Sequence, residues 1–297
     1  MSSEPQVASR PTAIDPELFR ALGALCEAPH LAHARIAAAL GLPPLTDPAS
    51  YTETFVVQLV PYAAVYLGAE GMLGGEAADR VAGFWRALHL TPPSEPDHLG
   101  VLLGLYAALA DAERAEPQPA RRAIRREARR ALLWEHLLTW AIAYTTALED
   151  AGDGFYRAWA RIVADALLTE ADELRPPKTA PACLRAAPDP VTTDEGLDRL
   201  VRALLTPVRS GILLSRRDLA EASGSCGLAP RAGERAFMLR SMLEQAPRET
   251  LGWLAGHAGR WRARHRATEP RLGPVGVHWR ARAEGTRRLL VAARGRA

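Results

Sequence analysis

Lysine is all but missing from this 297-residue chain: Lys178 stands alone, so nearly all of its 37 basic residues are arginine. Cysteine is scarce as well. Cys26, Cys183 and Cys226 are odd in number and far apart, which excludes a disulfide framework or a metal knuckle and predicts reduced thiols. No run of about 18 apolar residues occurs, so no transmembrane helix and no membrane insertion are expected. The first thirty residues lack the basic start, apolar stretch and small-residue cleavage site of a secretory signal, which predicts a cytoplasmic location. Aromatic residues make up only 6%, and no alternating apolar–polar run marks a strand. Alanine, leucine and arginine dominate instead, all good helix formers. The prediction is an all-α fold.

Catalytic patterns are also wanting. His30 and His33, or His257 and His265, lack the HExxH spacing that sets two imidazoles and a base on one helix face. No GxSxG elbow occurs, and Ser223–Gly227 offers hydroxyls and a thiol without an evident base. The glycines at 68, 71, 74 and 75 follow a helix rather than a strand and have no lysine, so they form no phosphate loop. The expectation is a protein that is not an enzyme and has neither metal nor cofactor.

What is present is arginine, unevenly placed. Residues 251–297 hold eleven arginines against Glu269 and Glu284, a local balance of +9 in a chain whose formal net charge is +3. The remainder is therefore net acidic, and residues 266–297 read as an arginine-rich basic tail.

Apolar periodicity divides the rest. Residues 1–14 are polar and predicted to be disordered. Asp15-Pro16 opens a helix carrying Leu18, Leu22 and Leu25. Ser50-Tyr51-Thr52-Glu53 reads as a capping box for a helix that Pro61 kinks or breaks. Further helices carry Val81, Phe84 and Trp85, then Leu99–Leu109. A long one of about 28 residues starts at the Arg121–Arg130 cluster, read as a solvated face, and runs through Trp134 to Ala147. Residues 171–195 are proline-rich and read as a linker, and helical pattern resumes over 196–265. Ser215 is expected to cap a helix with Asp218, and Asp97, alone or with Ser94, the helix starting at His98.

One stretch is more specific. Between Tyr51 and Leu109 stand an aromatic-rich helix, a Pro-Tyr pair, a Tyr-Leu-Gly turn, a GMLGG connection, a Phe-Trp helix and Glu95-Pro96-Asp97-His98-Leu99. His136-Leu137, Trp140 and Phe155-Tyr156 follow in order. This resembles the TorD/DmsD/NarJ group of redox-enzyme maturation chaperones, over residues 15–170. The resemblance implies a TorD-like helical bundle with a helical C-terminal extension. It also implies a cytoplasmic chaperone, monomer or homodimer, for a molybdenum-cofactor-dependent oxidoreductase of DMSO-reductase type. Such a chaperone binds the twin-arginine signal peptide and the apo catalytic subunit until cofactor insertion.

An arginine-bearing leader beside an apolar segment calls for carboxylates rimming an apolar groove. The residues expected to supply them are Glu95, Pro96, Asp97, His98 and Leu99, with Tyr66, Phe84, Trp85, His136 and Trp140 as lining. Ser215-Arg216-Arg217-Asp218-Leu219 itself looks like the core of such a leader, which raises the possibility of an internal client mimic. The competing expectation is a helical regulator that holds nucleic acid through its basic C-terminal tail; stable nucleic-acid binding is not expected under the chaperone reading.

Overall fold

The computed structural model describes residues 14–44, 47–193, 196–229 and 233–296. Sixteen α-helices, two π-helical segments and no strands occur among them. The first group is α1 Pro16–Ala24, α2 Leu31–Ala39, α3 Pro48–Tyr51, α4 Ala63–Leu67, α5 Gly75–Ala87, α6 Leu99–Ala115, α7 Pro119–Ala131, α8 Ala141–Ala151 and α9 Gly154–Leu174. The π-helical segments are Thr52–Gln58 and Leu132–Leu137. The second group is α10 Ala182–Arg185, α11 Leu197–Leu205, α12 Pro207–Ser210, α13 Arg216–Ser225, α14 Arg235–Gln245, α15 Pro247–Leu272 and α16 Pro274–Arg294.

Local chemistry starts the first helix where the sequence puts it. Asp15 accepts the Glu17 amide at 3.1 Å, and Pro16 fills the first helical position. α1 then lies so close on α6 that glycine is obligatory at the crossing. A Cβ on Gly23 would stand 2.8 Å from the Gly100 carbonyl oxygen, and one on Gly100 2.7 Å from that of Gly23. The core around this crossing holds Phe19, Phe55, Tyr106, Tyr144, Tyr156, Trp134, Trp140 and Trp159, all buried. Trp159 donates its indole N–H to the Leu22 carbonyl at 3.0 Å and Trp140 to that of His136 at 2.8 Å, whereas the buried Trp134 indole N–H has no partner among the described residues.

The arginine cluster is a solvated face at Arg121, Arg122, Arg125 and Arg126, but not at Arg129. Arg129 is buried and donates to Glu113 at 2.7 Å, to Glu170 at 2.5 Å and to Glu173 at 3.3 Å, which fastens α7 to α6 and α9. Tyr106 donates to Glu170 and accepts from Arg129 at 3.1 Å. Arg125 and Arg126 pair with Glu116, Glu113 and Glu173. Carboxylates nine to forty-seven residues away in the chain decide this, beyond the reach of a local reading.

Four other expectations are corrected. The cap at Ser50 is displaced: Asp47 accepts the Ala49 amide at 2.9 Å, while the Ser50 hydroxyl turns to Asp153. The long helix breaks, because the π-helical turn at Leu132–Leu137 delivers Trp140 into a non-helical φ of −145° before α8 begins. α9 continues through residue 174 into the supposed linker, whose Cys183, Leu184 and Val191 are buried. The arginine-rich tail is α16, which buries Val275, Trp279, Ala283 and Leu290 against α15. Apolar residues spaced around its arginines form a helical stripe that the charge count obscured.

α15 and α16 form an antiparallel hairpin that also grips the first group of helices. Trp279 donates to the Thr139 carbonyl at 2.8 Å. Arg264 pairs with Asp150 at 2.5 Å and Arg271 with Asp172 at 2.6 Å.

Candidate functional site

The Glu95–Leu99 loop builds structure. Asp97 is buried, and its carboxylate accepts the Ala64 amide at 2.9 Å while its carbonyl accepts that of Ala63 at 3.1 Å. It therefore caps α4, thirty-three residues earlier, and not the helix that follows it. Burial raises its pKa, partly offset by the amide it accepts. His98 is buried at the start of α6, its ring edge-on to Tyr62 at 4.9 Å, and burial lowers its pKa. Pro96 and Leu99 are buried as well, and Glu95 alone of the five is exposed.

The aromatic candidates form a packed ladder. Tyr66 stacks on Trp140 at 5.2 Å and donates to the Val60 carbonyl at 2.8 Å. Trp140 donates to the His136 carbonyl at 2.8 Å, and the His136 ring lies 4.7 Å from Phe84. Burial, aided by Arg80, pulls the His136 pKa down to about 4, so the imidazole is neutral. Phe84 and Trp85 are half-buried against the core. The structure thus brings Tyr66, Phe84, His136 and Trp140 together, but mostly as interior.

An open groove of about 500 Å³ lies elsewhere, between the two groups of helices. Val56, Val57, Leu59 and Val60 from the first π-helical segment and its exit form one side, with Val65, Tyr66, Glu70 and Met72 from α4 and the glycine-rich connection. Arg202, Leu205, Pro207, Leu213, Leu214, Arg216, Glu234 and Arg235 form the other. Tyr66 is the only predicted site residue that lines it. Large apolar side chains stand in water at its border: Val56 is 60% exposed, Met72 65%, and Leu73 next to Met72 61%. Phe237, half exposed, continues the border beyond Arg202 and Ala236. Single exposed apolar residues are ordinary, but several around one concavity mark an interaction surface.

The far wall depends on an extended segment whose carbonyls are each met by a side chain. Thr286 donates to Ser210 at 2.8 Å, His265 to Gly211 at 2.9 Å, Ser210 to Ile212 at 3.2 Å and Arg235 to Leu214 at 2.9 Å. Leu213 accepts from His257 at 2.8 Å and Trp261 at 3.2 Å. Arg260 donates to Nδ1 of His257 at 3.2 Å, and the Trp261 indole N–H also lies 2.9 Å from Nε2 of that ring. Burial lowers the pKa of both histidines, that of His265 to about 4. Gly211 sits at φ +70°, and a Cβ there would lie 2.2 Å from the Ala283 nitrogen.

Ser215 and Asp218 form the expected reciprocal cap of α13, with amide bonds of 3.1 and 2.7 Å. Leu213, Leu214 and Arg216 are a wall of the groove and do not fill it. The client-mimic expectation is corrected on that ground.

Among the described residues, no three histidine, cysteine or acidic side chains are placed to hold a metal ion. No described helix is long and apolar enough to cross a membrane.

Residues 24–145 match the family described as nitrate reductase delta subunit. The resemblance to redox-enzyme maturation chaperones of the NarJ/TorD type is borne out over that span. No curated protein matches the chain significantly.

Proposed function

We propose that this protein is a cytoplasmic maturation chaperone for a molybdenum-cofactor-dependent oxidoreductase, holding the apo catalytic subunit until its cofactor is inserted. The observation that carries the reading is the apolar, open groove, one side of which is built by residues 56–72 within the matched segment. A chaperone needs a surface that accepts an apolar client segment and later lets it go; exposed Val56 and Met72 meet that need without a closed pocket. The twin-arginine leader is one apolar segment of such a client. Asp97, spent on α4, is not free to meet its guanidiniums.

The test is co-expression with candidate molybdoenzyme catalytic subunits, followed by pull-down and calorimetry. The expected result is a stoichiometric complex with an apo subunit that dissociates on cofactor loading. Failure to associate with any apo catalytic subunit overturns the proposal.

The rival reading, nucleic-acid binding through the basic end, has less support, because six of the eleven arginines there are engaged by carboxylates of the fold. Arg262, Arg287 and Arg288 converge on Glu284, whose carboxyl is driven to about 2 by the hydrogen bonds from Arg287 and Arg288. Arg264, Arg271 and Arg280 also pair with acids. Charge neutralised within the fold is not offered to phosphates.

A further inference from the structure

The groove holds arginines that the fold leaves without an ion pair among the described residues. Arg235 is the plainest case. Its side chain is mostly withdrawn from water, yet among the described residues it donates only to the Leu214 carbonyl, at 2.9 Å, and forms no ion pair. Burial lowers its pKa, with Tyr66 opposing and Arg216 adding to the shift. Withdrawing a guanidinium from water without a carboxylate is unfavourable, and natural folds pair such groups. Here the vacant N–H donors line an open groove.

Two further arginines repeat the pattern. Arg202 and Arg216 line the same groove, are exposed, and form no ion pair among the described residues. The groove's only carboxylates, Glu70 and Glu234, are exposed and pair with none of the three. Past Glu70 and Met72 the groove continues into a second cavity of about 500 Å³ shared by Arg202 and Arg209. The Nε of Arg209 is buried without a partner, and its charge faces that of Arg282. Apolar surface and unpaired cation therefore alternate along one trough.

We infer that the trough recognises a client segment in which an apolar stretch runs into acidic side chains, the apolar part against Val56, Leu205 and Leu213 and the carboxylates on Arg202, Arg216 and Arg235. The inference rests on the chaperone reading of the same groove and specifies what it selects. Guanidinium and carboxylate match in bidentate geometry, which gives such a segment both affinity and register. An arginine pair in the same place would meet like charge, which discriminates strongly against it.

The experiment uses the full chain and three dye-labelled, C-terminally amidated synthetic peptides that share one leucine–isoleucine stretch and end in Asp-Asp, Ser-Ser or Arg-Arg. Anisotropy at low and physiological salt reads the affinities. Asp-Asp is expected to bind on the order of tenfold tighter than Arg-Arg, about 1.4 kcal/mol. The exposed double variant Arg202→Glu/Arg216→Glu should reverse that order, and Arg202→Ala/Arg216→Ala should abolish the preference; circular dichroism checks that each is folded. Equal or tighter binding of Arg-Arg, or a preference that survives both double variants, overturns the inference. If no peptide binds while an apo catalytic subunit still co-purifies, the inference fails and the chaperone reading stands. If Asp-Asp is preferred but no catalytic subunit associates, the groove chemistry is upheld and the chaperone reading fails.

Discussion

The Glu95–Leu99 loop and the groove between residues 56–72 and 202–236 are opposites in how they treat their polar groups. In the loop, Asp97 satisfies the first amides of α4, His98 is buried against Tyr62, and little is left for a ligand. In the groove, Arg235 is withdrawn from water without a carboxylate, and Val56 and Met72 are left in water without apolar cover. The more distinctive motif holds the helices in place; the less distinctive residues carry the unmet interactions. What a surface leaves unsatisfied is a better guide to binding than what a sequence makes conspicuous.

The comparison can be broken at its scaffold end first. Arg129→Ala strands the buried Glu170 without its cation and should cost about 3–5 kcal/mol, read as a lower urea midpoint. An unchanged midpoint would mean that the carboxylate is readily rehydrated.

Acid should act on the same interior. His136 and His265 have pKa values pulled down to about 4, whereas an unfolded chain protonates its imidazoles near 6.5. The unfolded state therefore takes up more protons as pH falls through this window, and stability falls with it, by about 3 kcal/mol per imidazole at the acid end. Urea titrations between pH 7 and pH 4 (about the range of these pKa values) should show a shallower decline for His136→Gln than for the parent.

Asp97→Ala removes the cap of α4 and leaves the buried Ala64 amide unpaired, at a cost of about 1–3 kcal/mol. Client association per folded molecule should stay at the parent level; a selective loss of binding with unaltered stability would return the loop to the site. The smallest expected change in stability is at the groove. Val56→Ser and Met72→Ser should alter it by less than about 0.5 kcal/mol, while weakening co-purification of the client. If they destabilise the protein and spare the client, the roles of the two regions are exchanged.

Much of the scaffold is legible because its causes are local. Asp15 with Pro16 starts α1, Pro61 interrupts the helix around it, and Ser215 with Asp218 starts α13, all within a few residues of their effect. What is not legible depends on partners distant in sequence. Asp97 was readable as a cap, but which helix it caps depends on a contact thirty-three residues away. Arg129 reads as one of a solvated row until Glu113 and Glu170 are folded around it. The groove is the extreme case, because its walls come from residues 56–72 and 202–236 and no single window contains both. The one local clue was the Met72-Leu73 pair, large and apolar amid glycines in a connection that buries neither.

The side-chain clasp on residues 210–214 has a bearing on synthesis. One wall of the groove is held by Thr286, and Gly211 must fit against Ala283. A nascent chain whose residues near 286 are still inside the ribosome has the first wall but not the second. Such a molecule would show sticky apolar surface without the arginines arrayed opposite, so its selectivity arrives only after residue 286 has left the ribosome.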